Sequence, residues 1–165
     1  MIREATVQDS GRIAEIDVIS SRYAYHHIVS DECLYKDLTV ENRIPVHNRW
    51  IAEKRFEIYV YEDDDTGIIK GMMGIGMSED DDLTGAFELH YLYVDPDFVR
   101  TGIGSEMLRF FEQKGMDRDC RELVIWVLEE NKMARAFYEK NHYRPDGKEK
   151  IFKRWNKREI RYRKG

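Results

Sequence analysis

Cysteine is scarce in this chain: among 165 residues there are only Cys33 and Cys120, far apart in the sequence. Neither belongs to a Cys-x-x-Cys pair, so the composition excludes both a disulfide framework and a zinc cluster. No other set of His, Cys and Asp residues has metal-ligand spacing, and the adjacent His26 and His27 would point their rings apart on a helix. We therefore expect free thiols and predict no metal.

Long apolar runs are also missing. No stretch reaches the roughly 18 to 20 residues that a membrane span needs. Residues 1–4, Met-Ile-Arg-Glu, carry charge where a signal peptide would be apolar. The sequence thus predicts a soluble, cytoplasmic protein that does not bind a membrane. A length of 165 residues suits one compact core, so we predict a single domain over residues 1–165.

Charge is unevenly distributed although the formal net charge is only -5. The acidic runs 62–65 and 79–82 lie between strand-like segments, which favours solvated hairpin tips over a device that attracts cationic acceptors. The basic tail 148–164 contains the alternating segment 158–163, as expected of an edge strand with charges facing water. Because the chain as a whole is mildly acidic, we predict that it does not bind nucleic acid.

Hydrophobic periodicity predicts an α+β order of elements without repeats or linkers. The predicted strands are residues 2–5, a hairpin of 56–61 and 68–77, 86–94, 122–128, and a last segment around Tyr143 and 159–163. The first predicted helix begins at Asp9 or Ser10 and has Ile13, Ile16, Val18 and Tyr23 facing inward. A second helical region covers 31–53 with an interruption near Pro45. Two further helices cover 102–115 and 131–140.

The most informative segment is residues 94–105, Val-Asp-Pro-Asp-Phe-Val-Arg-Thr-Gly-Ile-Gly-Ser, which joins an apolar strand to an amphipathic helix. Gly102 and Gly104 have no Cβ to hold a ligand away, and the first amides of a helix are free donors at the positive end of its dipole. The segment therefore predicts a phosphate-binding loop, unless the glycines serve packing alone.

Two common phosphate loops are excluded. The P-loop needs Gly-Lys-Ser/Thr, but Ile103 follows Gly102; the dinucleotide fingerprint needs a third glycine where Met107 stands. The segment instead resembles the acetyl-CoA pyrophosphate loop of the GCN5-related N-acetyltransferases (GNAT), Val-x-Pro-x-x-Gln/Arg-x-x-Gly-x-Gly/Ala. Four positions match, Val94, Pro96, Gly102 and Gly104, whereas Val99 stands where the family has Gln or Arg.

A second signature follows in the expected order. Residues 131–143 resemble the family pattern Asn-x-x-Ala-x-x-Phe-Tyr-Glu-Lys-x-Gly-Phe, with matches at Asn131, Ala134, Phe137, Tyr138, Glu139, Lys140 and, loosely, Tyr143. His142 replaces the glycine, which would alter how the helix ends. The order of elements extends the resemblance to almost the whole chain.

The resemblance implies an α+β, three-layer fold: a mixed, mostly antiparallel sheet of six to seven strands with about four helices. Its strands ending near Val94 and Leu128 would splay into a V-shaped cleft for acetyl-CoA. Tyr93 and Val94 would pair with the pantetheine arm, and Asn131 would touch it. The implied cofactor contacts are Leu92, Tyr93, Val94, Val99, Arg100, Thr101, Gly102, Ile103, Gly104, Ser105, Asn131, Ala134, Phe137 and Tyr138.

The expected reaction is acetyl transfer to a primary amine in a ternary complex, without a covalent enzyme intermediate. An amine with a pKa near 10.4 is about 99.9 % protonated at pH 7, so a base or a water chain must remove a proton. Glu88 stands fourteen residues before Gly102, the offset of the general base in histone-modifying relatives. The alternatives are that Glu88 is an ordinary strand-end carboxylate in a salt bridge and that a relay through ordered water removes the proton. His90 on the same strand face is a second candidate base, unless it is a hydrogen-bonded structural histidine.

Negative charge on the thioester oxygen needs a fixed N–H donor, worth roughly 2.7 to 4 kcal/mol in comparable sites. By resemblance this donor is the amide of Leu92. The thiol pKa of about 8.5 lies below that of a phenol near 10, and Tyr138 is the candidate that hands a proton to the leaving thiolate. For both Tyr138 and Asn131 a purely structural role, in the core or as a helix cap, is the alternative.

The acceptor is not determined by the sequence. By resemblance, the segment after the first helix and the loop before the last strand cover the acceptor end; they contain Tyr23, Tyr25, His26, His27, Phe152 and Trp155. We name Tyr25, His26 and His90 as candidate substrate-binding residues; a small-molecule or protein amine and a homodimer are both open. The alternative functions are a non-catalytic acyl-CoA sensor or scaffold and a nucleotide-binding regulator.

Overall fold

A seven-stranded open sheet forms the centre of the protein. The computed structural model describes residues 1–165. The strands are β1 (Ile2–Glu4), β2 (Glu57–Glu62), β3 (Ile69–Met77), β4 (Phe87–Val94), β5 (Leu123–Leu128), β6 (Arg144–Phe152) and β7 (Lys157–Lys164). Their order is β1-β2-β3-β4-β5-β7-β6, and every neighbouring pair is antiparallel except β4 and β5. The predicted mixed, mostly antiparallel sheet is confirmed.

Helices cover both faces of this sheet, as the three-layer prediction required. The helices are α1 (Ser10–Tyr25), α2 (Val40–Glu53), α3 (Ile103–Met116) and α4 (Lys132–Lys140), with a short π-helical segment at Glu32–Asp37. Ile13 and Ile16 of α1 and Trp50 of α2 pack on one face against the sheet. Met107 of α3 and Tyr138 of α4 pack on the other.

A β-bulge at His90 reverses which side chains of β4 face which layer. In the pairing with β3, Ile75 lies opposite Leu89 but Gly74 lies opposite Tyr91, so His90 is an extra residue. Leu89 therefore packs in the α3 layer, and after the bulge Leu92 does so. Tyr91 packs on the α1–α2 side. Strict alternation would have put Leu89 and Tyr91 on one face.

The strands β4 and β5 separate soon after they meet. Their parallel pairing covers only Phe87 with Leu123, Glu88 with Val124 and Leu89 with Ile125. Beyond this, β4 stays paired with β3 up to Val94, and β5 stays paired with β7 up to Leu128. The predicted V-shaped cleft thus opens between residues 90–94 and 126–128.

The structure differs from the sequence prediction around the first two helices. α1 ends at Tyr25, so His26 and His27 lie in a turn, where their ring centroids are 3.7 Å apart instead of pointing away from each other. Tyr23 is 48 % exposed and does not face inward. The second helical region breaks at Leu38, whose backbone is not helical, and Thr39 caps the new helix; Pro45 lies inside α2.

The C-terminal strand is not an edge strand, contrary to expectation. β6, which the sequence pattern did not reveal, lies outside β7 and leaves β7 in the sheet interior. Arg161 of β7 is 2 % exposed and pairs with Asp80 at 3.1 Å, Asp82 at 2.8 Å and Asp146 at 2.7 Å. The acidic run 79–82 is therefore partly an ion-pair partner, not only a solvated tip.

The end of α4 keeps its usual geometry despite the missing glycine. His142 adopts φ 71°, a left-handed conformation that favours glycine. Its amide donates to the Glu139 carbonyl at 3.1 Å. The substitution therefore adds local strain without changing where the helix stops. None of the helices is long and apolar enough to cross a membrane.

We predict that Arg161→Met destabilises the protein by about 2 to 3 kcal/mol, because three carboxylates lose their shared cation. Hydrogen bonds from Arg161 lower the pKa of Asp82, and they lower that of Asp146 against the opposing effect of burial. Since a lowered carboxyl pKa stabilises only above its unfolded value, the difference should shrink as the pH falls below about 4.

Urea unfolding measures this effect. Arg158→Met on the same strand is the control, because Arg158 is 51 % exposed in its pairs with Glu129 and Glu149 and should cost less than about 1 kcal/mol. Equal losses for the two variants would contradict the role assigned to Arg161.

Candidate functional site

The loop between β4 and α3 presents a row of free amides. No backbone N–H of residues 100–105 donates a hydrogen bond within the protein. Arg100 and Gly102 adopt positive φ angles of 67° and 95°, which turn the chain into the first turn of α3. Six unpaired donors beside a helix N-terminus form an anion-binding loop, so the glycines do more than fill space.

Gly104 lies where this loop meets the cleft. A Cβ built there would lie 3.8 Å from both Phe137 and Val94 and 3.9 Å from Leu92. An alanine would fit at these distances, but a longer side chain would extend into the space between α3 and α4. The residues present therefore fit the pyrophosphate group that the loop was predicted to hold.

The backbone of β4 supplies further donors. The amide of Asp95 donates to Lys70 of β3 at 2.9 Å. Since the N–H groups of a strand alternate in direction, those of Leu92 and Val94 point toward the β5 side, where pairing has ended. The Leu92 N–H is thus directed into the cleft, as an oxyanion donor requires. The N–H of Tyr93 points toward β3 instead, and only its side chain lines the cleft.

The cleft is the mouth of a cavity of about 1080 Å³. Of the predicted cofactor residues, those lining it are Leu92, Tyr93, Val94, Val99, Arg100, Gly102, Gly104, Ser105, Asn131, Ala134, Phe137 and Tyr138. Thr101 and Ile103 do not: the Thr101 hydroxyl donates to the Phe98 carbonyl, and Ile103 packs in the core. Of the other candidates, Tyr25 and His90 line the cavity, but Glu88 and His26 do not.

Tyr138 lies in the wall of this cavity with its hydroxyl available. The side chain is 7 % exposed, and its hydroxyl makes no hydrogen bond to another protein group. Burial, with a smaller effect of Tyr25, raises the pKa of Tyr138 well above its usual value. The phenol is therefore protonated at neutral pH and can donate to a ligand. Because its pKa exceeds that of a thiol, complete proton transfer to a thiolate is uphill.

Asn131 both caps helix α4 and lines the cavity. Its side-chain oxygen accepts from the amide of Ala134 at 3.1 Å, which caps α4. In the cavity its side chain lies beside the Tyr25 hydroxyl. Burial raises the pKa of Tyr25, and the contacts with Tyr93 and Asn131 oppose this. One half of the amide thus holds the helix, and the other half belongs to the polar lining of the cavity.

Glu88 and His90 form a pair on one face of β4. Glu88 Oε1 lies 3.2 Å from His90 Nδ1, and the Ser78 hydroxyl donates to Glu88 Oε2 at 2.9 Å. Although burial acts in the opposite direction, these contacts lower the pKa of Glu88, so it is ionised at neutral pH. His90 stands between Glu88 and the cavity, which makes His90 the member of the pair that a substrate would meet.

Aromatic side chains cover the end of the cavity that the sequence predicted for the acceptor. Trp155 in the β6–β7 turn lies with its ring 5.0 Å from Tyr25 and 5.2 Å from Phe152. The same ring packs against the apolar cluster beneath the end of α1. These contacts fix the β6–β7 turn over the cavity, with Tyr25, Phe152 and Trp155 in its lining.

A buried polar cluster lies deeper on the α1–α2 side. Asp17 accepts from Arg43 Nε at 2.6 Å and contacts His47 Nε2 at 2.9 Å. Despite the opposing effect of burial, contacts with His47 and Arg43 lower the pKa of Asp17. His47 Nδ1 and the Tyr91 hydroxyl are buried without a hydrogen-bond partner. Asp17, Arg43, His47 and Tyr91 all line the cavity, and the two terminal nitrogens of Arg43 make no hydrogen bond within the protein.

Two charged side chains that line the cavity have no ion-pair partner. Glu159 of β7 lies opposite Leu128, at the splayed end of β5, and its carboxylate has no hydrogen-bond or ion-pair partner. Burial raises the pKa of Glu159; the charge of Lys150, which lies opposite it on β6, acts against this, and the charge of Glu88 adds to it. Arg154 in the β6–β7 turn also lacks an ion pair; burial and the charge of Arg43 lower its pKa.

Sequence patterns did not identify these polar residues, although α1 carried a signal. Asp17 lies between Ile16 and Val18, within the apolar stripe of the helix, where a charge needs a partner. Arg43 and His47 are spaced four apart and supply it from α2. Nothing local in the sequence indicates that Arg154 and Glu159 reach the same cavity. No group of three or more His, Cys, Asp or Glu side chains could hold a metal ion.

Comparison with known proteins gives a matching family model and a related sequence. The family model described as the acetyltransferase (GNAT) family matches residues 22–143. An uncharacterised N-acetyltransferase, YuaI of Bacillus subtilis (strain 168), is 26 % identical over 136 residues, which are 79 % of this chain and 72 % of the relative.

Solved structures agree in fold. PaiA N-acetyltransferase from Thermoplasma acidophilum, in complex with coenzyme A, superposes with a TM-score of 0.75 at 18 % identity, over 98 % of this chain and 96 % of that chain. YncA of Salmonella typhimurium, with acetyl-CoA, gives 0.67 at 17 % identity over 99 % and 92 %. With its sheet, its splayed strands and its family match over most of its length, the chain belongs to the acetyltransferase (GNAT) family and is an acyltransferase.

Proposed function

We propose that residues 1–165 form one catalytic domain that moves the acetyl group of acetyl-CoA to a primary amine by direct attack in a ternary complex. The observation that carries this proposal is the continuity of the cavity. It runs from the free amides of residues 100–105, past the inward-pointing amide of Leu92, to a separate polar and aromatic end. Acetyl-CoA thus binds at one end of the cavity and the acceptor at the other. Cytoplasmic location and homodimerisation stay predictions.

The amide loop holds the pyrophosphate of the substrate acetyl-CoA. Six N–H donors and the α3 dipole favour an anion without any side-chain charge, which explains why Val99 can replace the Gln or Arg of the family pattern. The free N–H of Val94 and the Asn131 side chain then contact the pantetheine arm along the open edge of β4. The arm takes the place of a neighbouring strand.

The Leu92 amide stabilises the charge that forms on the thioester oxygen. The amine nitrogen attacks the carbonyl carbon, a C–N bond forms, and the C–S bond breaks with its electron pair on sulfur. A fixed donor in the cleft is already oriented, so it needs no reorganisation as the charge appears. No enzyme side chain becomes acetylated; Cys120 precedes β5 and does not line the cavity.

His90, oriented by Glu88, accepts the proton from the incoming ammonium. Glu88 holds Nδ1, which leaves Nε2 as the acceptor, directly or through one water molecule. Tyr138 donates a hydrogen bond to the departing sulfur. The overall return of a proton to the thiolate is favourable at pH 7, since the thiol pKa of about 8.5 lies above that pH. Solvent therefore supplies the proton that the thiolate takes up, while the Tyr138 hydroxyl stabilises the sulfur by its hydrogen bond.

Binding and transfer can be measured on one preparation. We expect calorimetry to show acetyl-CoA and CoA binding without ATP binding, and thiol release that depends on an added amine. Gly104→Leu should weaken acetyl-CoA binding by about 100-fold, because the side chain fills the cleft; Gly104→Ala, whose Cβ fits, should bind within about threefold. Binding without thiol release for any amine would identify a sensor or scaffold instead, and ATP binding would identify a nucleotide-binding regulator.

We predict that Tyr138→Phe lowers kcat by about 100-fold and leaves the acetyl-CoA affinity within about twofold, because the hydroxyl acts on the leaving sulfur. Steady-state kinetics at saturating acetyl-CoA measure this. Tyr143→Phe is the matched control: its ring lies 6.0 Å from Tyr138, but its hydroxyl contacts Glu112 outside the cavity, so kcat should not change. Equal kcat for Tyr138→Phe and wild type would remove Tyr138 from the mechanism.

We predict that Glu88→Gln lowers kcat/KM by about tenfold, and most at low pH, where more of the amine is protonated. If Glu88 acts through His90, the double variant Glu88→Gln/His90→Gln should be no slower than His90→Gln alone. Ser78→Ala, which leaves the Glu88–His90 contact intact, is the control. Additive losses or an unchanged pH profile would instead favour proton removal by a water relay.

A further inference from the structure

The cavity is lined by charged groups of both signs whose hydrogen-bonding capacity the fold leaves partly unused. Arg43 is 8 % exposed and pairs with Asp17 through Nε, yet neither of its terminal nitrogens has a partner. Exposed Arg154 and half-buried Glu159 line the same cavity without an ion pair. Buried charged groups normally have all their hydrogen bonds made, so the free nitrogens of Arg43 indicate an anionic group on the ligand.

The terminal nitrogens of Arg43 are the groups at this end that a ligand can reach. Arg43, His47 and Tyr91 all line the cavity. His47 Nδ1 and the Tyr91 hydroxyl also lack a partner, but both atoms are enclosed by protein and have no surface toward the cavity. An unsatisfied buried polar group costs about 1 to 3 kcal/mol, so a ligand that bonds to the two terminal nitrogens of Arg43 recovers part of that cost.

From this arrangement we propose that the acceptor is an amino acid: an amine whose carboxylate is bound by the free terminal nitrogens of Arg43 together with Arg154, and whose ammonium faces Glu159. A guanidinium fork matches the two oxygens of a carboxylate. The proposal deepens the proposed function and rests on it, because it names the acceptor class of the same site.

The location of the charges agrees with the path of the acetyl group. Glu159 lies opposite Leu128 at the splayed end of β5, next to the opening where β4 exposes the Leu92 amide. Arg43 lies farther away on α2, beside the indole ring of Trp50 at 5.3 Å. An acceptor held between them presents its amine toward the thioester and its carboxylate away from it.

The aromatic lining indicates what the rest of the amino acid is. Tyr25, Phe152 and Trp155 on one side and Trp50 and Phe56 on the other leave an apolar space around the charged groups. An apolar or aromatic side chain would remove water from this space, whereas a second charge would find no partner among these rings.

Matched acceptors test the proposal. Thiol release from acetyl-CoA is measured with L-phenylalanine, L-leucine and L-methionine, and with the three amines that remain when their carboxylates are removed. We expect kcat/KM for each amino acid to exceed that for its amine by about tenfold or more, the effect of one charged contact.

Arg154→Gln shows whether the arginine is responsible. This residue is exposed and unpaired, so its replacement should not unfold the chain as loss of the buried Arg43 would. It should raise KM for the amino acids by about fivefold or more and leave KM for the amines and for acetyl-CoA unchanged. Lys153→Gln is the control, since Lys153 neighbours Arg154 but does not line the cavity.

Glu159→Gln should raise KM for amino acids and amines alike, because both present an ammonium. Amines that react as well as amino acids, or an Arg154→Gln effect equal for both, would overturn the amino-acid assignment and leave the proposed acetyl transfer intact. Acetyl-CoA binding without thiol release from any of the six acceptors would overturn the amino-acid assignment, and the same result for every other amine tested would overturn the proposed acetyl transfer as well.

Discussion

The incomplete pairing of β4 with β5 is the constraint on which the rest of this structure depends. Only three residue pairs join the two strands before they diverge, and the bulge at His90 lies where pairing stops. Every unpaired N–H at this edge would be costly if buried without a partner. The fold sets the Leu92 and Val94 amides along a cavity, where an extended substrate can bond to them as an added strand would.

The bulge also determines which side chains of β4 face each layer of helices. It puts Leu92 into the α3 layer, and Tyr91 and Tyr93 into the α1–α2 layer. Without the extra residue, the register beyond Leu89 would be inverted and the aromatic rings would enter the main core. One inserted residue thus separates the apolar layer under α3 from the polar and aromatic part of the cavity on the α1–α2 side.

Local signals in the sequence sufficed for some features and failed for others. The loop at 94–105 and the cap at Asn131 could be predicted because each depends on a few consecutive residues and on backbone donors. β6 could not, because its residues are exposed and lack alternation. The Asp17–Arg43–His47 cluster joins residues up to 30 positions apart, and only packing of α1 on α2 reveals it.

The distribution of unsatisfied groups distinguishes the site from the scaffold. Arg161 is almost fully buried and has three carboxylate partners, so the sheet interior tolerates a guanidinium when its donors are used. Arg43 is buried nearly as well but leaves both terminal nitrogens free, and His47 beside it has a free ring nitrogen. The same fold therefore satisfies a buried cation inside the sheet and leaves donors of another unused beside the cavity. Since unmet polar groups reduce stability, the acceptor proposed above would account for them by supplying the missing partners.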